Sequence, residues 1–512
     1  FAFRPPPEPE PARGTLDGGS ARLAADAAGD GVVAPAGADA GLGTIADGGA
    51  AADAPPLPEE VRYAREFVLR SQVPTPLGEV REGDLAGRKS YFTFSYREGR
   101  LVRVEHRNGS GFAVALPGDD EWWERATTLV PEYRENGTVE RLTALRCGGE
   151  KVECAPLAVL QVGRDLRTRR VVVPGHEELI TWNEDRISVL SVDLDERGFG
   201  ERIRYLNALG KPQPDRFGRI STTRQRDAEG WILEQREEIL GAAAEDDDGG
   251  GAGAAKKATR VIKPGYDARH NVTATALFDG TGRKVRFPEE SGWPGVHRVT
   301  WEWDDRDRPI VERYFGPNDE PAPLGGCYAL RYGYDAAGNL VRDECLGPDG
   351  QPCPDDDEVL RTEWEFDARG LPVVERSLGR GDLPVHETVH RTWDDAGNKI
   401  LERWVDETIR DEEGKPVVVR ARAYEYDARG LLTVQRSLDA DGRPVAPSGF
   451  AAIRWEHDLH GQTVRKSYEG LDGKPASTTG DEFRGVSSVG YEYDDYGFLV
   501  ARRFADARGR PV

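Results

Sequence analysis

The chain has no methionine, and only five cysteines and eight histidines among its 512 residues. The histidines are scattered, and no convergent Cys/His cluster, Gly-rich phosphate loop or nucleophile elbow occurs. Catalysis of those kinds, and a metal or other cofactor, are therefore not expected. Long apolar runs are missing too. None approaches the ~20 residues that a membrane-spanning helix needs. Positive charge is in deficit: 69 Lys and Arg stand against 91 Asp and Glu, a net charge of −22. Such a surface repels nucleic acid and favours self-repelling particles. The first residue is Phe1, and the last four, Gly509-Arg510-Pro511-Val512, fall inside a turn. The expectation is of a processed or partial chain, with a signal or membrane tether ahead of residue 1 and more repeats behind.

A repeat fills the C-terminal half. Its clearest unit is 328–352. Tyr328, Leu330, Tyr332 and Tyr334 alternate with Ala329, Arg331 and Gly333, the period of a half-buried strand. Asp335-Ala336-Ala337-Gly338 reads as a tight turn, because Asp bonds its own backbone there and Gly takes positive φ. A second strand follows, and Pro348-Asp349-Gly350-Gln351-Pro352 closes the unit with a second turn. Anchoring aspartates recur at Asp304, Asp335, Asp367, Asp394, Asp427, Asp458 and Asp494, spaced by 31, 32, 27, 33, 31 and 36 residues. First-turn glycines follow at Gly338, Gly370, Gly430 and Gly497, and second-turn glycines at Gly350, Gly442 and Gly509. Fixed spacing with variable filler is how a structural repeat looks. Val299, Trp301 and Trp303 oppose Arg298, Thr300 and Glu302, so one sheet face is aromatic and the other charged. A lone hairpin is marginal in water, so neighbouring units must pair edge to edge. The expected fold is all-β: tandem antiparallel hairpins forming an extended, coiling sheet or solenoid, with the rings packed inward.

Tyr-Asp-x-x-Gly units such as Tyr334-Asp335-Ala336-Ala337-Gly338 and Tyr426-Asp427-Ala428-Arg429-Gly430 resemble the YD repeats of RHS-type proteins. The likeness runs from about residue 91 and is clearest from about 296, although the unit is longer and adds an Asp-Gly-x-Pro turn. It implies a spiralling hairpin shell in secreted or cell-surface proteins, sometimes enclosing a toxin.

Ahead of the regular repeats, residues 1–58 are rich in Ala, Gly, Pro and Asp and read as a flexible arm. Residues 59–70 read as a short helix or a strand. Degenerate repeats fill 59–295, with a short capping helix at 119–130 and a loop insertion at 241–255; regular repeats fill 296–512. Adjacent Glu-Arg pairs such as Glu312-Arg313 and Glu375-Arg376 would point to opposite faces.

Several motifs tempt a sharper reading. His386-Glu387-Thr388-Val389-His390 matches H-E-x-x-H, but it sits in a strand slot, where the two His would stand ~13 Å apart. Arg380-Gly381-Asp382 occupies a second turn. Asp439-Ala440-Asp441-Gly442 opens like a calcium loop, yet Phe450 stands where its bidentate Glu belongs. Asn108, Asn136 and Asn271 begin glycosylation sequons. Cys147 and Cys154 bracket one turn and Cys345 and Cys353 another. Both pairs could form cross-hairpin disulfides, leaving Cys327 over, or stay free on strands. Bridged, they would mark an oxidising compartment. The sequence thus points to a non-enzymatic scaffold outside the cytoplasm with protein partners, itself or a larger assembly. A toxin-shell segment and a carbohydrate-binding module with stacking rows Tyr424/Tyr426 and Trp301/Trp303 are the alternatives. Neither nucleic acid nor a small-molecule ligand is expected.

Overall fold

Alternation along each unit dictates strands, and the computed structural model consists of them. It describes residues 60–117, 126–148, 153–173, 176–180, 187, 189–207, 209–215, 217–240, 257–289, 291–410, 416–459, 461–479, 484–493 and 499–512. Among these, 29 strands join in one antiparallel sheet, and the two helical pieces are single 3-10 turns at Glu82–Asp84 and Arg380–Asp382. The proposed arm and the 241–255 insertion lie outside the described residues, as do Asp494 and Gly497. Residues 60–70 resolve to a strand, Glu60–Arg70. The capping helix expected at 119–130 is corrected in part: 119–125 lie outside the described residues, while Thr128–Tyr133 is a strand. β-branched Thr128 and Val130 flanking Leu129 favour that choice.

Each unit is a hairpin. Ala329–Tyr334 pairs with Leu340–Leu346 over six positions, from Ala329↔Leu346 to Tyr334↔Leu340. A register shift falls just before Tyr334, and the same shift precedes Trp303, Phe366, Trp393, Tyr426 and His457. It is the bulge that lets a short turn close a twisted hairpin. Most neighbouring regular units pair over fewer positions, for example Arg342↔Glu363 to Glu344↔Arg361, whereas Lys399–Arg410 and Pro416–Tyr426 pair at seven. Beyond them an irregular segment intervenes, held by single bridges such as Leu346↔Pro352 and Leu438↔Pro444. The second-turn prolines sit at these bridges. The sheet runs on in chain order except at two places: at its start Glu60–Arg70 lies between Val73–Val80 and Ser90–Arg97, and Thr168–Val173 pairs with both His176–Ile180 and Val189–Leu194.

The faces segregate as the alternation requires. Val299 and Val489 are buried, while Glu302, Glu365, Glu425, Glu456 and Glu492 are exposed. The first-strand rings Trp301, Trp303, Tyr332, Tyr334 and Trp455 are half-buried, while Tyr314 and Tyr468 on second strands are buried. The irregular early half packs most deeply. Phe92, Phe94, Val104, Leu129, Leu142 and Leu160 form one cluster, each at most 2% exposed. Purely apolar residues fill there the positions that later units give to Trp, Tyr and Glu, so burial proceeds without polar tips to satisfy.

Candidate functional site

The anchoring aspartates do more than shape a turn. In Asp427–Gly430 one carboxylate oxygen, Oδ1, accepts from the N–H groups of Arg429 and Leu431 at 2.9 Å each. The other, Oδ2, accepts from Arg429 Nε at 3.0 Å. Arg429, aimed in this way, donates to the backbone oxygen of Asp458, the next anchor, at 2.7 Å. Arg369 does the same to Asp394 at 2.8 Å, Arg269 to Asp304 at 2.7 Å and Arg308 to Asp335 at 3.2 Å. Neighbouring first turns along the row are thereby linked, 304 to 335, 367 to 394 and 427 to 458. Burial opposes ionisation of Asp304 and Asp427, but backbone N–H bonds and the arginines outweigh it and hold both carboxyls below the ordinary range.

Where the residue before the anchor is Tyr or Trp, it ties units together in the other direction. Tyr334 donates its hydroxyl to the Pro309 carbonyl at 2.8 Å, Tyr426 to Lys399 at 3.0 Å and Tyr493 to Thr463 at 2.9 Å. Trp303 and Trp393 donate indole N–H to Val272 and Pro372 at 2.7 and 3.0 Å. The acceptor always starts the preceding unit's second strand. Sequence reasoning missed this latch; the repeated Tyr or Trp, each with a polar tip, was the available signal.

Glu-Arg dipeptides divide their labour between the faces as expected. On the exposed face Arg313 meets Glu302 at 2.5 Å and Arg376 meets Glu365 at 2.6 Å. On the aromatic face the Glu accepts from ring tips. Glu312 takes Trp293 Nε1 at 3.0 Å and Tyr332 OH at 2.7 Å. Glu402, nearly buried, takes Arg391, Lys399 and Tyr424 at 3.2, 3.4 and 3.0 Å. Against the cost of burial, Lys399, Arg391 and Tyr424 hold its pKa down.

The most informative contacts cross between distant parts of the chain. Arg65 and Arg88, on the first hairpins, reach the first turns of units 206 and 219 residues later. Asn108 and Arg146, on second-turn ends, reach turns 261 and 252 residues later. The sheet therefore winds back on itself, and the second-turn edge of the early coil lies on the first-turn row of the later one. Asp307 is the node. Its carboxylate accepts from Arg88 at 2.8 Å and Arg269 at 2.9 Å, with Arg65 at 3.9 Å and Asn271 Nδ2 at 2.9 Å. Arg65, Arg88 and Asp307 side chains are only 16%, 12% and 10% exposed. Backbones meet directly at Gly109 and Gly338. A Cβ on either would strike the Arg88 carbonyl, so the close approach requires glycine. Arg146 donates to Ala396 O and Asn398 Oδ1, at 3.2 and 2.7 Å, and lines a small cavity with Tyr424, Tyr426 and Gly430.

The second-turn row of the later coil is different. A Cβ added to Gly350, Gly381, Gly442, Gly473 or Gly509 would meet no other described residue within 4 Å.

The tempting motifs resolve as turns and strands. His386 lies in a bend and His390 on the strand Thr388–Trp393, so the helix that a zinc site needs is not there. Arg380-Gly381-Asp382 is the 3-10 turn, with Asp382 on Arg361 at 2.5 Å. Asp439 Oδ1 accepts from the N–H groups of Asp441 and Arg443, as turn chemistry requires. Asn108 and Asn271 are buried in the contact between coils, while Asn136 remains exposed. No group of three metal-ligating side chains occurs among the described residues, and no helix among them is long and apolar enough to cross a membrane.

The cysteine pairing is half as expected. Cys147 and Cys154 are bridged. The second bridge is Cys327–Cys345, not Cys345–Cys353, and Cys353 is free. Cys353 follows the bridge Leu346↔Pro352 and stops 4.0 Å short of Cys345 Sγ. Cys327 instead enters from the Leu324–Cys327 turn ahead of the paired strand, with its Cα 5.3 Å from that of Cys345. A reading confined to the hairpin overlooks that turn.

No family model matches the chain, and no curated protein matches it in sequence. Among solved structures it is similar to the crystal structure of TcdB2-TccC3-TEV, at 11% identity and a TM-score of 0.32, covering 82% of this chain and 24% of that one. It is also similar to TcdB2-TccC3 without the hypervariable C-terminal region, at 13% identity and a TM-score of 0.27, covering 83% and 26%. The chain spans about a quarter of the length of these chains.

Proposed function

We propose that this chain is a non-enzymatic structural scaffold, working outside the cytoplasm, whose coiled sheet assembles by laying second-turn edges on first-turn rows. One contrast carries the reading: the first-turn row is occupied by the protein's own earlier coil, while the second-turn row of the later coil is bare. The inner seat works by donors, Arg88, Asn108 and Arg146, on turn carbonyls and carboxylates. The bare row carries donors too. Arg443 and Lys474 are 74% and 79% exposed, each paired within its own turn. The fitting partner is another like-built row of turns, from a second copy or a larger assembly. The two disulfides agree with an oxidising compartment.

Sedimentation velocity across protein concentration tests the scaffold. The wild-type chain is expected to associate, and Arg443→Glu with Lys474→Glu to remain monomeric. Equal, concentration-independent sedimentation of both, or a hydrolytic activity abolished by changing one repeat residue, would overturn the reading. An RHS-like shell segment is the second reading, favoured by the winding of the sheet onto itself. A carbohydrate platform is less supported, because the polar tips of Tyr424, Tyr426 and Trp303 are already engaged within the protein.

A further inference from the structure

The three remaining cysteines form one sulfur cluster. Cys327 and Cys345 are bridged and buried, at 5% and 1% exposure. The Cys353 thiol is half-buried, with its Sγ 4.0 Å from Cys345 Sγ. Its backbone is fixed in that place, because Cys353 N–H donates to the Cys345 carbonyl at 3.1 Å. A third sulfur 4.0 Å from one sulfur of a disulfide places the two atoms that thiol–disulfide exchange would join side by side.

We propose that Cys353 is an internal exchange nucleophile that moves the disulfide from Cys327–Cys345 to Cys345–Cys353. Cys353 releases its proton to solvent, and the thiolate attacks Cys345 Sγ. The new Cys345–Cys353 bond forms as the old one breaks. The bonding pair leaves on Cys327 Sγ, which takes up a proton. One disulfide and one thiol exist before and after, so no external oxidant or reductant takes part. The exchange moves a covalent clamp. At first it fastens the Leu324–Cys327 turn to the strand Leu340–Leu346; afterwards it fastens the second turn carrying Gly350, part of the bare row, to that strand. Burial first, then Asp349 and Asp355, disfavour the Cys353 thiolate, with Arg380 opposing them. Exchange is therefore slow at neutral pH and accelerates in alkali, by about tenfold per pH unit while the thiolate fraction is small.

The test uses the full chain, purified without reductant. It is moved from mildly acidic buffer to about pH 9, quenched in acid over time, denatured, alkylated with a maleimide and mapped by mass spectrometry. The label is expected on Cys353 at first and increasingly on Cys327, at a rate independent of protein concentration. Cys353→Ser should abolish labelling of Cys327. Cys327→Ser, with an unchanged circular dichroism spectrum, should carry a Cys345–Cys353 bridge. The proposal is overturned if Cys327 is never labelled in the wild-type chain, or if folded Cys327→Ser leaves Cys345 and Cys353 both alkylated after air oxidation.

Discussion

The two rows of turns are built from nearly the same residues and live in different surroundings. In both, an Asp or Gly opens the turn, a glycine (or, in the Asp304 unit, Asp307 and Asp319) takes positive φ and the chain doubles back. The first-turn row is laced by arginines and, from Asp304 to Gly430, overlaid by the early coil. The second-turn row, Gly350 through Gly509, faces solvent. What a turn contributes thus depends less on its own hydrogen bonds than on the coil above it. In a repeat array, where each unit otherwise touches only its neighbours, such a contact adds long-range coupling to a nearly one-dimensional fold.

Replacing residues in the two rows sharpens that contrast. The largest effect belongs to Asp307→Ala, which leaves Arg65, Arg88 and Arg269 without their shared carboxylate. Removing one partner of a buried pair costs about 3–5 kcal/mol. Hydrogen exchange should report it as lost protection in Glu60–Arg70. Asp349→Ala on the bare row should stay within about 0.5 kcal/mol; similar losses at both sites would erase the distinction. Next comes glycine. Gly350→Ala, at φ 74° in open space, should cost about 1–2 kcal/mol from left-handed strain alone. Gly338→Ala, at φ 95° against the Arg88 carbonyl, should cost clearly more in chemical denaturation.

Acid acts on the same row. The depressed carboxyls of Asp304 and Asp427 contribute stability that is complete above the ordinary Asp pKa, about 4, and lost as pH falls below it. The melting temperature should hold steady above about pH 5 and drop below pH 4, less steeply in Asp427→Asn. The latch contributes less: Tyr426→Phe removes one hydroxyl bond and should cost about 1 kcal/mol in thermal unfolding. An unchanged melting temperature would remove the latch from the account.

Strand alternation and the Asp and Gly spacing revealed the hairpins, the segregated faces and both kinds of turn before any coordinates. Periodicity reports which face a residue takes, and that was enough for Val299 against Glu302. It does not report which unit lies above which. The Asp307 node joins residues more than 200 positions apart, and neither Arg65 nor Arg88 stands in a recurring motif. The Cys327–Cys345 bridge was hidden likewise, because Cys327 approaches from an irregular segment that no period describes. The latch was half visible: the recurring ring was evident, its hydrogen-bond partner one unit back was not.

A double-mutant cycle on Arg88 and Asp307 tests the winding most directly. Stability is measured for Arg88→Ala, Asp307→Ala and the pair together. If the early coil rests on the later one as described, the two changes are coupled by more than about 1 kcal/mol. Additive effects, within about 0.3–0.5 kcal/mol, would mean that the residues do not meet and that the sheet does not close on its own turns.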